Sequence, residues 1–171
     1  MERRRTMPDA EPPPPALRQA LKELEERLGR SLTDASDGHA RWELYRAALG
    51  SAAARPALLA AVTAEPDGAL ASGVVGEVLE RLPRAERDTW VRVLPPAVRG
   101  FSERRARELA ALEDLRTGAL APDRVPELVD GWSDWLQLRV AGEVRDATAL
   151  RAVAASGRTK RIRRTATEAL G

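Results

Sequence analysis

The sequence has no cysteine, which excludes disulfides, thiolate nucleophiles, zinc sites with cysteine ligands and iron–sulfur clusters. Aromatic residues are few: one phenylalanine, one tyrosine and four tryptophans among 171 residues. Ile162 is the only isoleucine, whereas alanine is plentiful. A sequence that is short of strand-forming residues and rich in alanine favours helices, and no segment alternates with period two for long. We therefore expect an all-α protein.

A strong net charge is also absent. The 28 basic and 26 acidic residues give a formal charge of +2. Lys22 and Lys160 are the only lysines, so nearly all the positive charge is carried by arginine, which stays ionised at every workable pH. This composition is not in itself evidence for a nucleic-acid partner, and the length fits one domain.

Long apolar runs are missing as well, because charged residues, Gly or Pro interrupt each of them before about 18 residues. The basic start, Met1 to Arg5, is followed by the polar segment Thr6 to Pro15, where a signal peptide would be apolar. We expect a cytoplasmic protein without a membrane partner. Because Pro12 to Pro15 favour polyproline II, residues 1–15 are predicted to be a disordered tail and residues 16–171 a single helical domain.

Apolar spacing and capping residues divide this domain into about nine short helices. The first runs from Ala16 to Leu28, and its apolar stripe is too short for an independent coiled coil, so we expect a monomer or a weak homodimer. The clearest stripe, Val125 to Val140, predicts one helix that begins near Pro126. Asp146 and Thr159 are the predicted N-caps of the last two helices.

A longer helix is predicted before this stripe. Its apolar positions are Phe101, Leu109, Leu112 and Leu115. Its charged residues are predicted to form a solvated face of i,i+4 pairs and comprise Glu103, Arg104, Arg107, Glu108 and Glu113.

Internal similarity indicates a repeat. A shift of 91 positions superposes residues of core type, among them Leu59 on Leu150, Val62 on Val153 and Leu79 on Leu170. Half of this shift, about 45 residues, lies within the period of HEAT and armadillo repeats. Alanine-rich helices also match by chance, so an irregular helical bundle is the alternative.

The last 26 residues, Asp146 to Gly171, resemble a HEAT repeat. An aspartate-started helix and a tight turn at Ser156 and Gly157 lead into a second helix. The positions that match the family pattern in that helix are Arg163, Ala166, Ala169, Leu170 and Gly171. The resemblance implies a right-handed stack of short antiparallel helix pairs with a surface that binds another macromolecule. It does not imply an enzyme.

Few residues could carry out chemistry. His39 is the only histidine, so neither a histidine-based metal site nor a Ser–His pair can be assembled, and we expect a capping or surface role. The spacing of Gly68, Gly73 and Gly76 does not match a phosphate-binding loop and predicts close helix packing instead. We expect no catalytic residue, no metal and no cofactor.

Asp130 and Asp134 are the one acidic pair that could act together. Four positions apart on the predicted Val125 to Val140 helix, their carboxylates would face the same way and could transfer protons or hold a cation. We expect them instead to pair with arginines of a neighbouring helix. An acid-dependent enzyme is the third functional hypothesis.

The predicted binding residues lie in the C-terminal half. Trp132 and Trp135 share the Val125 to Val140 stripe, and at least one is expected in the core. Five positive charges without an intervening acid lie between Arg158 and Arg164. The residues assigned to binding are Trp132, Trp135, Arg158, Lys160, Arg161 and Arg164.

Our leading hypothesis is a non-enzymatic HEAT-like protein that acts as a protein interaction or scaffold module and binds an acidic protein surface through these residues. The alternative is a nucleic-acid-binding helical repeat, similar in outline to the HEAT-like DNA glycosylases, that uses the basic C-terminal helix. The basic segment has no interleaved aromatic residues for base stacking, which favours the protein partner. A solvated face without a partner is the remaining interpretation of this segment.

Overall fold

The computed structural model describes residues 11–171, and every regular element in this range is a helix. The all-α prediction is therefore confirmed for this part of the chain. Within it, no helix has both the length and the apolar character that crossing a membrane requires. The ten α-helices are α1 (Pro15–Leu28), α2 (Gly38–Leu49), α3 (Arg55–Ala64), α4 (Gly68–Val78), α5 (Arg84–Arg92), α6 (Pro96–Thr117), α7 (Val125–Leu128), α8 (Asp134–Glu143), α9 (Ala147–Ser156) and α10 (Lys160–Leu170).

Side-chain caps define many of the helix starts. Asp37, Asp67 and Asp146 each accept hydrogen bonds from backbone N–H groups of the following helix, and Thr159 accepts one from the N–H of Ile162. His39 is exposed in the first turn of α2, where its backbone N–H donates to the capping side chain of Asp37. It therefore lies at the helix start and on the surface, as the sequence predicted. The predicted N-caps of α9 and α10, Asp146 and Thr159, are thus confirmed.

The predicted proline-rich tail lies mostly outside the described residues, which begin at Glu11. Pro14 has φ −54° and ψ 149°, the values of polyproline II. Pro15 is the first residue of α1, where its fixed φ and missing N–H cost nothing. α1 ends at Gly29, whose φ of 61° is a left-handed conformation that glycine adopts without strain.

The predicted single helix from Val125 to Val140 is wrong. α7 ends at Leu128, a 3-10 turn covers Val129–Gly131, and α8 begins only at Asp134. Ser133 caps α8 by accepting the N–H of Leu136 at 3.3 Å. The apolar periodicity continues across this break, and the split raises the helix count from nine to ten over the described residues.

The apolar stripe of α6 predicted a buried position for Phe101, and this is wrong. Its side chain is 53% exposed, whereas Leu109, Leu112 and Leu115 are buried as predicted. Its ring lies against α4, where a Cβ on Gly76 would come within 3.0 Å of Phe101 Cε1. This is tighter than ordinary van der Waals contact, so glycine permits the close approach at this point.

The chain separates into two compact units, residues up to Glu103 and Arg104–Gly171. In the first unit α1 packs on α3 and α2 packs on α4. In the second unit α7 packs on α9 and α8 packs on α10. Each unit therefore pairs alternate helices as well as sequential ones.

Residues 75–92 and 125–142 form the same corner: an α-helix, a 3-10 turn, two non-helical residues and a second α-helix. Leu82 (φ −91°, ψ 143°) and Trp132 (φ −82°, ψ 147°) occupy the same extended position after the turn. In each corner a buried polar side chain donates to the carbonyl of the first turn residue. Arg87 Nε lies 3.1 Å from the oxygen of Leu79, and Gln137 Nε2 lies 2.7 Å from that of Val129. These corners are fifty positions apart, a spacing that the shift of 91 does not detect.

A buried charged cluster joins three segments of the first unit. Arg41, on α2, donates through Nε and Nη2 to the two carboxylate oxygens of Glu65, each at 2.9 Å. The Tyr45 hydroxyl donates to Glu65 Oε2 at 2.7 Å, and the N–H of Asp67 donates to Oε1 at 3.1 Å. Since Glu65 lies between α3 and α4, this one carboxylate fixes the α3–α4 turn against α2.

The same cluster shifts the acid–base properties of its members. The hydrogen bonds from Arg41 to Glu65 raise the pKa of Arg41 above its usual value. Burial, followed by the hydrogen bond to Glu65, raises the pKa of the Tyr45 phenol. The phenol therefore stays neutral and the guanidinium charged.

Removing Arg41 leaves the Glu65 carboxylate buried without its cation. We expect Arg41→Ala to lower the free energy of unfolding by about 3–5 kcal/mol. Arg92→Ala is the matched control, because Arg92 pairs with Asp88 on the surface and this pair contributes at most about 1 kcal/mol. Urea unfolding followed by circular dichroism measures both, and equal effects of the two substitutions would contradict the assignment.

Tyr45 is the only tyrosine, so tyrosinate absorbance reports on this residue alone. Because folding raises its pKa, the contribution of the neutral phenol to stability is complete below the unfolded pKa of about 10 and declines above it. We expect the free energy of unfolding to fall by up to about 1.4 kcal/mol per pH unit above pH ~10, and Tyr45→Phe to lack this part of the decline. Tyrosinate absorbance that rises near pH ~10 while the circular dichroism stays native would show that the pKa is not raised.

Candidate interaction site

Arg158 anchors the loop between α9 and α10 to the α7–α8 corner. Its Nη1 donates to Asp134 Oδ1 at 2.6 Å, and its Nη2 donates to the carbonyls of Trp132 and Asp130 at 2.8 and 3.3 Å. Its backbone N–H donates to Gln137 Oε1 at 2.8 Å. A cation stabilises carbonyls that have no partner within their own helix. Arg158, which the sequence assigned to partner binding, is thus engaged within the protein.

Gln137 links Arg158 to the same α7–α8 corner. Its side chain is buried and donates through Nε2 to the carbonyls of Val129 and Trp132 at 2.7 and 3.3 Å, while Oε1 accepts from Arg158. Both ends of the buried amide are therefore satisfied. Sequence analysis missed Gln137, although a polar residue between Leu136 and Leu138 in an apolar stripe was a usable signal.

Asp130 and Asp134 do not share a helix face, because the break at Trp132 separates them. The paired-acid arrangement that a single helix would create is therefore wrong. Asp134 forms the expected ion pair with an arginine, Arg158, and both side chains are about half exposed (50% and 55%). Among residues 11–171, no group of His, Asp and Glu side chains is placed to hold a metal ion.

Trp135 is half-buried under two guanidinium groups. The Cζ atoms of Arg105 and Arg139 lie 3.7 and 4.8 Å from the centroid of its ring, within cation–π distance. Arg139 also pairs with Glu143, which in turn pairs with Arg116. The ring of Trp135 therefore contributes mainly to the packing of α6 and α8 within the second unit.

Trp132 has a different environment, since it lines an open groove of about 300 Å³ between α6 and the α7–α8 corner. We call this cavity the Trp132 groove. Its lining residues are Arg104, Arg107, Glu108, Ala111, Gly131, Trp132 and Leu136.

Of the charged residues that the sequence placed on a solvated face, Arg104 and Arg107 are exposed as predicted, whereas Glu108 is not. Glu108 is buried, and its Oε1 accepts the N–H of Ser133 at 3.3 Å. Arg104 and Arg107 are exposed and form no hydrogen bond or ion pair with any residue from 11 to 171. Sequence analysis did not assign these two arginines to binding.

The basic segment at the start of α10 is only partly free. Arg163 donates to the carbonyl of Gly157, the residue after α9, and Arg164 pairs with Glu168 at 3.4 Å. Lys160 and Arg161 are exposed and have no such contact within the described chain. The first turn of α10 contains no acidic residue, so its cations are not offset locally and oppose the helix dipole.

The anchoring role of Arg158 is testable by substitution. We expect Arg158→Ala to lower the free energy of unfolding by about 1–2 kcal/mol, because charged hydrogen bonds to two carbonyls are lost while the exposed ion pair adds little. Arg164→Ala, which removes an exposed pair from the same segment, should change it by less than about 0.5 kcal/mol. Urea unfolding measures both, and an Arg158→Ala effect as small as that of Arg164→Ala would argue against the anchor.

Comparisons with known proteins found no matching family model, no matching curated protein and no matching solved structure. The resemblance to HEAT repeats therefore depends on the residues from Asp146 to Gly171 alone.

Proposed function

We propose that this chain is a non-enzymatic, HEAT-like helical protein that binds another protein through its C-terminal half. The observation that carries this proposal is a set of exposed cations, without carboxylate partners among the described residues, in the unit that also presents Trp132 in an open groove. These cations are Arg104, Arg107, Arg145, Arg151, Lys160 and Arg161, of which Arg104 and Arg107 lie beside Trp132. Unpaired arginines and a partly exposed tryptophan are typical of protein interfaces.

The helix packing supports a HEAT-like arrangement. In stacks of helix pairs, each helix contacts the equivalent helix of the next pair. α7 on α9 and α8 on α10 follow this pattern in the second unit, and α1 on α3 and α2 on α4 follow it in the first. Stacks of this kind present extended surfaces on which partner proteins bind.

The charge distribution favours a protein over a nucleic acid as the partner. The second unit contains 13 basic and 10 acidic residues, so it is not the strongly positive surface that phosphate backbones require. The Trp135 ring is covered by guanidinium groups rather than open for base stacking. The nucleic-acid alternative then depends on Trp132 and the start of α10.

An acid-dependent activity finds little support. It required Asp130 and Asp134 on one helix face, and the break in the chain at Trp132 removes that arrangement. Asp134 is paired with Arg158 instead of lying beside Asp130.

The test is affinity capture from a lysate of the native host with the tagged full-length chain. Half of each sample is treated with nuclease. We expect a protein that is recovered after nuclease treatment and whose recovery falls about tenfold with Lys160→Glu/Arg161→Glu, because like charges would then face its acidic surface.

The matched control is Lys22→Glu/Arg46→Glu, which makes the same charge change on exposed residues of the first unit. This control should leave recovery within about twofold of the wild type. Nuclease-sensitive recovery would favour the nucleic-acid alternative. An equal loss in both double variants would refute binding through the C-terminal half.

A further inference from the structure

The Trp132 groove combines an aromatic wall with a cationic rim. Its volume of about 300 Å³ is at the lower end of the range for ligand sites, large enough for one side chain and the backbone beside it. Trp132 and Leu136 supply the apolar surface. An indole at the edge of a groove is a frequent anchor point for a side chain of a binding partner.

The rim of the groove carries positive charge, and the one carboxylate at its base already has partners within the protein. Arg104 and Arg107 are three positions apart on α6, so they lie on one helix face. Glu108 is the only acidic residue of the lining; it accepts the N–H of Ser133, and Arg105 Nε lies 3.8 Å from its Oε2. The two rim arginines are therefore available to carboxylates from outside the protein.

The backbone at Trp132, which forms one wall of the groove, is fixed by hydrogen bonds. Arg158 and Gln137 both donate to its carbonyl oxygen, so the backbone at this position is fixed by two side chains from outside the 3-10 turn. A groove whose wall is already ordered loses less conformational entropy when a ligand binds.

We propose that the Trp132 groove binds an acidic peptide segment of a partner protein. An aromatic or large aliphatic side chain of the segment packs against Trp132, and neighbouring carboxylates pair with Arg104 and Arg107. Arginine suits this role because its planar fork matches a carboxylate with two parallel hydrogen bonds. This inference deepens the proposed function and depends on it, because it names the chemistry that the second unit recognises.

The experiment uses the full-length chain and a short fluorescent peptide in which one phenylalanine is flanked on both sides by glutamates. Fluorescence anisotropy gives the Kd for this peptide. We expect binding to weaken about tenfold with Arg104→Glu/Arg107→Glu and a similar loss with Trp132→Ala. Replacing the phenylalanine of the peptide by alanine, or its glutamates by lysines, should also weaken binding.

The control is Arg145→Glu/Arg151→Glu, the same charge change on two exposed arginines of the same unit that do not line the groove. It should change the Kd by less than about twofold. Because Arg104 and Arg107 are exposed and make no contacts within the described chain, their substitution preserves the fold, which circular dichroism verifies.

Three results of the peptide experiment would overturn the inference: no binding of the peptide to the wild type, an equal loss in the control variant, or tighter binding of a labelled oligothymidylate that is lost with Arg104→Glu/Arg107→Glu. The last result would identify single-stranded nucleic acid as the ligand of the groove. The lysate capture separates the two proposals, because Lys160 and Arg161 do not line the groove. A captured protein that is lost with Lys160→Glu/Arg161→Glu but retained with Arg104→Glu/Arg107→Glu leaves the proposed function standing and refutes the groove.

Discussion

A chain of short helices has many helix C-termini, and each of them exposes carbonyl groups that need hydrogen-bond donors. In this protein arginine supplies many of those donors. Arg87 donates to the carbonyl of Leu79, Arg99 to those of Arg92 and Leu94, and Arg158 to those of Asp130 and Trp132. Arg41 likewise donates to two loop carbonyls before α2. A guanidinium with five donors can satisfy two carbonyls and a carboxylate at once, whereas a lysine ammonium is more strongly hydrated and has no fixed fork. At these corners the positions need the guanidinium fork, which a lysine could not supply.

This use of arginine is what makes unpartnered cations informative. Because most guanidinium groups at the corners donate to carbonyls of the protein itself, counting charges along the sequence overstates the number of cations that a partner can bind. Arg158 is counted in the basic segment by sequence but is bound to the α7–α8 corner. Arg104 and Arg107, which the sequence placed on an ordinary solvated face, have no such contact and border the groove beside Trp132.

Local signals predicted what local physics determines. Capping residues and leucine spacing located α1, α9 and α10 because these signals act within a few residues. They failed where a contact distant in sequence decides the outcome. Apolar periodicity runs through Gly131 to Ser133 without interruption, yet Arg158, 26 residues beyond Trp132, stabilises the break there. In the same way, nothing near Arg41 in the sequence indicates that it binds Glu65, which lies 24 positions away.

The two equivalent corners differ in the side chains that they present on the surface. In the first, Leu82 is buried and Arg87 itself reaches the carbonyl of the turn. In the second, the shorter, neutral Gln137 donates to the turn carbonyl in place of that arginine. The cation of this corner is Arg158, which belongs to the α9–α10 loop and donates its backbone N–H to Gln137. The residue equivalent to Leu82 is Trp132, which keeps the same backbone conformation but is only partly buried and lines a groove. Because the backbone of both corners is the same, the difference between them lies in side chains alone, and a binding role for the second corner would require no change of fold.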